Sequence, residues 1–275
     1  AFAADGTPTK AATAFASKIG CTVEQLSRID TPKGEYLVGT RRESGRATGE
    51  LLVDVLAELV SAIPFRKSMR WGDGTLTFGR PIRWLMALLG AEVVPVKIEG
   101  FEAGAVSCGH RFLHPAEIAI TSPAQYVDAL RQAHVYVDPA ERAARMHERL
   151  LAAAASAGGT LIEDTFLIGE NLSLVEDPQV VVGSFDEAFL ALPDEVILEV
   201  ARGHQRYFGL RAADGSLMPR YLAVVNTANN PDKICLGNDR VMRARLADAQ
   251  FFHQEDLKRP LAGRRAELEG IVFQN

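Results

Sequence analysis

The clearest pattern in this chain is a row of apolar residues at intervals of three and four within residues 47–63. This spacing places them on one face of a helix, because a helix makes one turn in about 3.6 residues. The row consists of Leu51, Leu52, Val55, Leu56, Leu59 and Val60. The pattern predicts an amphipathic helix that ends at Ile63-Pro64, since the residue before a proline avoids the helical conformation.

Segments with helical spacing or strand-like composition continue along the rest of the chain. The predicted helices are residues 8–20, 23–29, 47–63, 123–132, 139–157, 166–174, 194–203 and 237–261. The predicted strands are residues 35–39, 82–89, 93–98, 117–121, 135–137, 180–183, 206–210 and 221–226. The 82–89 strand is apolar enough to be buried on both faces, and Ala-Asp-Gly at 213–215 predicts a hairpin turn.

The alternation of strands and helices predicts an α/β fold with mixed α+β character. We divide the chain into three parts. Residues 1–63 form a small N-terminal unit of helices and a hairpin, residues 64–236 an α/β domain, and residues 237–275 a helical segment that leads out of that domain.

The helix predicted over 237–261 combines an apolar face with positive charge. The residues expected to pack on a core are Met242, Leu246, Ala249 and Phe252. The cations on the rest of its surface are Arg240, Arg243 and Arg245. We expect Asn238 or Asp239 to cap its first turn and Arg245 to pair with Asp248. Such a helix is either a structural strut or a surface that binds polyanions.

Composition narrows the choice of partners. The chain has 275 residues, 47% of them apolar, and a formal net charge of −5, so only local basic clusters would bind a polyanion. Cys21, Cys108 and Cys235 are too widely spaced to indicate a disulfide framework or a four-cysteine zinc site, which favours the cytoplasm. No apolar run approaches the ~20 residues that span a bilayer, so no membrane partner is expected. The sequence does not begin with Met, and we expect a piece of a longer protein.

Residues 65–84, here called the basic loop, interleave aromatic and cationic side chains against a single acid, Asp73. Its cations are Arg66, Lys67, Arg70, Arg80 and Arg83. Its aromatic rings are Phe65, Trp71, Phe78 and Trp84. Aromatic faces beside cations suit single-stranded nucleic acid, where stacking contributes ~1–3 kcal/mol per base. The alternative is a turn at 72–74 whose rings are core and whose arginines are only solvated.

Two further groups of polar residues lie at turns. Arg202, His204 and Arg206 fall where a predicted helix gives way to a strand, a position that presents side chains outward. Cys108 lies close to His110 and His114, but zinc requires three or four converging ligands. With no further Cys and His cluster to complete the set, we expect no metal site.

Sequence motifs of catalysis are missing. The chain has no phosphate loop of the Gly-x4-Gly-Lys-Ser/Thr type, no Gly-x-Ser-x-Gly nucleophile elbow and no paired-histidine metalloprotease motif. Adjacent acids such as Glu163-Asp164 point in different directions and cannot flank a bond. We therefore expect no catalytic residues, and a binding module more than a self-contained enzyme.

Several long motifs resemble the β subunit of the bacterial heterotetrameric glycyl-tRNA synthetase. They follow the order of that family and extend over most of the chain. They are Phe-Arg-Lys-Ser-Met-Arg-Trp-Gly at 65–72, Arg-Pro-Ile-Arg-Trp-Leu at 80–85, Gly-His-Arg-Phe-Leu-His at 109–114, Gly-His-Gln-Arg-Tyr-Phe at 203–208, and the stretch from Gly-Asn-Asp-Arg-Val at 237–241 to Asp-Leu-Lys-Arg-Pro at 256–260.

The resemblance implies a subunit of a class II glycine–tRNA ligase. In that family the α subunit carries the active site, so ATP and Mg²⁺ are expected there and no cofactor in this chain. Most of residues 64–236 would be a B3/B4-like domain, and residues 237–275 would connect to C-terminal domains that this sequence lacks. The expected partners are the α subunit and glycine tRNA (tRNA-Gly), with neither membrane nor DNA. This fragment alone is not expected to aminoacylate.

Three functions are compatible with these observations. The first is tRNA binding and positioning through Arg66, Lys67, Arg70, Arg80, Arg83, Arg202, His204, Arg206, Arg240, Arg243 and Arg245. The second is a structural scaffold for α-subunit and interdomain assembly, with Phe251 and Phe252 as apolar anchors. The third is a B3/B4-type editing deacylase in which His204 or His110 assists the attack of water.

Overall fold

The computed structural model describes Phe2, residues 6–41 and residues 44–271, and the chain divides into two units, Ala1–Pro64 and Phe65–Asn275. Its helices are α1 (Lys10–Ile19), α2 (Thr48–Ala62), α3 (Tyr126–Gln132), α4 (Pro139–Ser156), α5 (Thr165–Leu172), α6 (Asp194–Glu199) and α7 (Pro231–Leu257). Its strands are β1 (Ser27–Thr31), β2 (Gly34–Val38), β3 (Leu85–Met86), β4 (Leu88–Leu89), β5 (Glu92–Val93), β6 (Lys97–Ile98), β7 (Phe101–Gly104), β8 (Val106–Cys108), β9 (Glu117–Ala119), β10 (Thr160–Leu161), β11 (Gln179–Ser184), β12 (Phe208–Arg211) and β13 (Leu217–Val225). Residues 272–275 of the predicted connector lie outside the described residues.

The first unit contains α1, the β1–β2 hairpin and α2. Thr9 caps α1 by accepting from the N–H of Ala12, and Gly20 ends the helix with φ +76°, a conformation that glycine adopts without strain. The amphipathic helix predicted over 47–63 is present as α2, although none of its residues is buried.

The helix predicted over 23–29 is wrong. Only Val23–Gln25 forms a helical turn, of the 3₁₀ type, and Ser27–Thr31 is strand β1. Its antiparallel partner β2 begins at Gly34, which has φ +116°. The chain therefore reverses between residues 31 and 34, and cross-strand pairing outweighs the local helical spacing.

The centre of the second unit is an antiparallel sheet in the order β10-β12-β13-β11. Its apolar residues alternate between two faces, as the strand geometry requires. On one face Leu222 and Phe208 pack against Met146 and Leu150 of α4. On the other face the core includes Val181, Ile197, Val200, Tyr207, Tyr221, Ala223, Met242 and Leu246.

The long helix α7 starts earlier than the sequence predicts. Asn230 is its N-cap and accepts from the N–H of Lys233, with Pro231 in the first turn. Asn238 and Asp239, the predicted caps, lie inside the helix. Met242 and Leu246 are fully buried, as predicted, and each contributes about 2 kcal/mol of apolar transfer energy. Phe252 is 64% exposed, so its predicted place on the buried face is wrong.

The single buried strand predicted over 82–89 is wrong as well. Leu85–Met86 pairs with β7, whereas Leu88–Leu89 pairs with β5, and none of these four residues is buried. The strand predicted over 93–98 is also divided, because Pro95 lies between β5 and β6 and cannot donate to a ladder. This part of the chain forms small sheets.

Two other predicted strands change. Residues 135–137 do not form a strand, because the carbonyls of Tyr136 and Val137 accept from the guanidinium of Arg142 instead of a neighbouring strand. Arg206, the expected first residue of a strand, has φ +58°, and the strand begins at Phe208. The prediction of a mixed α/β fold is confirmed. Within the described ranges, no helix has the length and apolarity needed to cross a membrane.

Candidate nucleic-acid interface

The basic loop is closed by a short backbone pairing. Met69 and Phe78 exchange two hydrogen bonds, with N–H to carbonyl distances of 2.8 and 3.1 Å. Glu99 holds the far end by accepting from the N–H groups of Thr75 and Leu76 at 2.8 and 2.7 Å. The side-chain hydrogen bond from Thr75, followed by the backbone bond from Leu76, lowers the pKa of the Glu99 carboxyl. The loop therefore has a defined path between residues 69 and 78.

The four aromatic rings of the loop do not form one stacking surface. Phe65 and Phe78 pack edge to face, with their centroids 4.6 Å apart. Trp71 is half-buried against a small hollow beside Glu99. Trp84 is 46% exposed. The structure therefore fits both earlier interpretations in part, because some rings are packed together and Trp84 presents its ring to solvent.

The cations of the loop are all exposed, and they are Arg66, Lys67, Arg70, Arg80 and Arg83. Arg80 donates to the carbonyl of its neighbour Gly79 at 2.9 Å. Among the described residues, no carboxylate forms an ion pair with any of these cations. Their charges remain available to a phosphate backbone.

The helix-to-strand turn, here called the corner and comprising residues 200–206, continues α6 as one π-helical turn from Val200 to Gln205. Arg206 then takes a left-handed conformation that is strained for a residue with a side chain. The buried amide of Asn171 stabilises it by donating to the carbonyls of Leu167 and Arg206 at 2.9 and 3.1 Å. Strained backbone of this kind persists only where the surroundings impose it.

The two arginines of the corner are already paired. Arg202 lies 2.7 Å from Asp164 and over the ring of Phe166, and Arg206 lies 3.2 Å from Glu170. Burial of Asp164 opposes its ionisation, but the hydrogen bonds from Leu167 and Arg202 outweigh burial and lower the pKa of its carboxyl. His204 is exposed. The corner therefore carries little uncompensated charge.

The cations of α7 differ from those of the corner. Arg240, Arg243 and Arg245 are exposed, and no ion pair from them occurs in the part of the chain that the structure describes. The predicted pair between Arg245 and Asp248 is accordingly wrong. The corner packs against α7 through Val200 and Ala201, which share a core with Met242.

The first histidine of the 109–114 motif has a structural role. His110 is fully buried, and its Nδ1 accepts from the N–H groups of Phe112 and Leu113, both at 3.1 Å. Its Nε2 donates to the carbonyl of Asn226 at 2.8 Å. Both ring nitrogens are engaged and shielded from water, so His110 does not fit the hypothesis of a base for editing.

The same region contains the side chains that were considered as possible zinc ligands. Cys108 and His114 are half-buried, and Nδ1 of His114 has no hydrogen-bond partner among the described residues. Within the described ranges, no three His, Cys, Asp or Glu side chains come together as metal ligands.

Sequence reasoning missed a buried charge cluster around Asp177. This carboxylate is 1% exposed and lies 3.0 Å from Arg145, 3.3 Å from Arg149 and 3.1 Å from His134. Arg145 and Arg149 are four residues apart, so they share one face of α4. That spacing can be recognised in the sequence. The pairing with Asp177 cannot, because the partners of Asp177 lie far away along the chain.

Sequence reasoning also missed Asn226, the residue that follows β13. Its side-chain oxygen accepts from the N–H of Glu176 at 2.8 Å, and its amide donates to the Glu176 carboxylate at 2.8 Å. Its carbonyl is the partner of His110. One residue thus joins the central sheet to the 109–114 motif.

Comparison with known proteins identifies a family that this chain matches. A family model described as the glycyl-tRNA synthetase beta subunit matches residues 1–275. The glycine–tRNA ligase beta subunit of Myxococcus xanthus strain DK1622 is 46% identical over 275 residues, which is 100% of this chain and 39% of that protein. The protein of the same name from Moorella thermoacetica is 43% identical over 275 residues, with 100% of this chain and 40% of the relative covered. The chain spans about two fifths of the length of these curated relatives.

Proposed function

This chain belongs to the glycyl-tRNA synthetase beta-subunit family, and on that premise we propose that it binds and positions glycine tRNA for the ligase. The observation that carries the proposal is a set of exposed cations without carboxylate partners among the described residues, in a chain of net charge −5. They are Arg66, Lys67, Arg70, Arg80, Arg83, Arg240, Arg243 and Arg245. Unpaired guanidinium and ammonium groups are the groups that phosphate oxygens bind.

The corner has a different part in this proposal. Arg202 and Arg206 are held by Asp164 and Glu170, so an approaching phosphate would compete with a carboxylate for each guanidinium. We therefore assign the main electrostatic contribution to the basic loop and to α7. His204 is exposed and available for a hydrogen bond.

The proposal extends to the whole ligase. ATP and Mg²⁺ would act in the α subunit, which would be the partner of this chain, and the assembly would work in the cytoplasm as a heterotetramer. Residues 64–236 would be the B3/B4-like domain, a proposal that the order of the motifs at 65–85, 109–114 and 203–208 supports.

The test uses the full-length subunit with Arg240→Ala and Arg243→Ala together. Glycine tRNA binding is measured at several salt concentrations, and each lost phosphate contact should reduce the slope of log affinity against log salt by about 0.7–0.9. Lys97→Ala is the matched control, since Lys97 is exposed but paired with Glu102 at 3.2 Å. Unchanged affinity and slope in the double variant would show that these α7 arginines do not contact the tRNA.

The scaffold is a second candidate, favoured by a specific observation. Phe251 and Phe252 are 57% and 64% exposed, and their rings pack edge to face with centroids 5.5 Å apart. Exposed phenylalanines are typical of protein interfaces. Under this hypothesis Phe251→Ala with Phe252→Ala weakens association with the α subunit but leaves tRNA binding by the isolated subunit intact. The reverse pattern would exclude the scaffold.

A further inference from the structure

A cleft of about 350 Å³ lies in the second unit, between the small strands, α3 and the start of α4. Its volume is at the lower end of the range of about 300–1,000 Å³ that holds small ligands. The residues that give it chemical character are Trp84, Cys108, Tyr126, Tyr136, Arg142 and Glu176. Three of these are aromatic, so the lining includes flat rings.

The walls of the cleft are held in place before any ligand arrives. Nε of Arg142 donates to the carbonyl of Leu172 at 3.0 Å, and its Nη1 donates to the carbonyl of Tyr136. The ring of Tyr136 is held by Arg145, whose guanidinium lies 4.4 Å from the ring centroid. Asn226 holds the carboxylate of Glu176. A preformed site costs little ordering entropy on binding.

The same contacts decide which ligands fit. Arg142 has committed Nε and Nη1 to backbone carbonyls, so it is a poor receptor for an anion, and the neighbouring Glu176 repels one. Glu176 is half-exposed, and among the described residues only one of its carboxylate oxygens accepts a side-chain hydrogen bond. Trp84 presents a broad exposed ring. These groups favour a neutral, flat ring that carries an N–H donor on its edge.

We propose that this cleft binds one unpaired nucleobase of the RNA, stacked on Trp84 with an edge N–H donated to Glu176. The inference rests on the proposed tRNA binding and deepens it. Trp84 directly follows Arg83, the last cation of the basic loop, so a strand whose phosphates lie along that loop has a base within reach of the cleft. The cations bind the backbone, and the cleft binds a base.

The test compares Trp84→Ala with Trp84→Phe in the full-length subunit, with glycine tRNA as the probe. Loss of one stacked base lowers affinity about 5- to 150-fold. Since no charge is removed, the dependence of affinity on salt keeps its slope. Trp84→Phe retains a flat ring and is expected to stay within about threefold of the parent.

Ultraviolet crosslinking of the parent protein to the same tRNA gives an independent measurement. The proposal expects a nucleotide adduct, located by mass spectrometry, on the peptide that contains Trp84 or Cys108. Trp84→Ala binding within twofold of the parent, together with no adduct on either peptide, would overturn it. If the arginine variants lose affinity while Trp84→Ala does not, tRNA binding stands and this inference alone fails. If the parent protein does not bind glycine tRNA, the proposed function fails first.

Discussion

The hydroxyl of Tyr221 donates to Oδ1 of Asp239 over 2.7 Å, and this bond attaches α7 to the central sheet. The same oxygen accepts from the N–H of Ser184 at 2.9 Å. Burial, followed by the hydrogen bond to Asp239, raises the pKa of the Tyr221 hydroxyl. The Tyr221 ring fits because residue 183 is glycine: a Cβ there would lie 2.1 Å from the ring. Asp239, part of a motif that resembles a helix cap in the sequence, is an anchor.

Tyr221→Phe removes this bond and leaves Asp239 with one partner fewer. We expect the free energy of unfolding to fall by about 1.5–3 kcal/mol, since the acceptor is charged. Tyr207→Phe is the matched control, because its ring stacks on Tyr221 at 4.4 Å while the structure describes no hydrogen bond from its hydroxyl. Urea denaturation of both variants measures the difference. Equal losses would mean that the Tyr221 hydroxyl contributes nothing beyond its ring.

Stability should decline at alkaline pH because of Tyr207. Burial, with a smaller contribution from the charge of Asp239, raises its pKa from 10.0 to about 12. A raised pKa means that the folded protein binds more protons than the unfolded chain above pH 10. The stabilisation is therefore complete below about pH 10 and is lost as the pH rises towards 12. Between pH 10 and pH 11 Tyr207 alone should reduce the free energy of unfolding by about 1 kcal/mol.

Tyr207→Phe should make that decline shallower. Its effect on the free energy of unfolding should be smaller near neutral pH than at alkaline pH. Urea denaturation at pH 9, 10 and 11, on the parent and the variant, measures both. The prediction fails if the two proteins lose the same stability over this interval.

Arginines of the corner and of α7 should differ in their effect on tRNA binding. Arg202→Ala and Arg206→Ala remove charges that Asp164 and Glu170 already compensate, so the salt slope should change by less than for Arg240→Ala and Arg243→Ala. Filter binding or fluorescence anisotropy with labelled glycine tRNA at three salt concentrations gives the slopes. A larger change at the corner would indicate that the carboxylates release these arginines to the RNA.

Asp177→Asn should be strongly destabilising. It leaves the half-buried guanidinium groups of Arg145 and Arg149 without their carboxylate, and breaking a buried pair in this way costs about 3 kcal/mol. Asp128→Asn is the control, because the carboxylate of Asp128 is exposed where it pairs with Arg131, and a surface pair contributes about 0–1 kcal/mol. Thermal unfolding of both variants compares the two. Similar small shifts would show that the cluster around Asp177 is not a determinant of stability.

Local patterns in the sequence predict α4 well. The helix predicted over 139–157 matches α4 within one residue, because Asp138 caps it, Pro139 begins it and Gly158 follows it. The sequence also contains a start signal for α7, Asn230-Pro231, although the prediction began the helix at Gly237. Gly237 resembles a boundary, but the packing of Met242 and Leu246 on the sheet keeps the residues around it helical.

What the sequence could not predict depends on contacts between distant residues. Arg202 and Asp164 are 38 residues apart, so nothing near Arg202 reveals that its charge is compensated. His110 looks like a reactive residue beside Cys108, but its Nε2 is engaged by the carbonyl of Asn226, 116 positions later. Exposure and pairing, which decide whether a cation is available to a phosphate, are tertiary properties.

Helix α7 has 27 residues, of which those after Ala249 extend past the buried Met242 and Leu246. At about 1.5 Å per residue it is about 40 Å long. Inserting one residue between Leu246 and Leu257 would advance the segment that begins at Leu261 by about 1.5 Å and turn it by about 100°. The number of residues in the helix therefore sets both the distance and the direction in which the chain leaves the sheet.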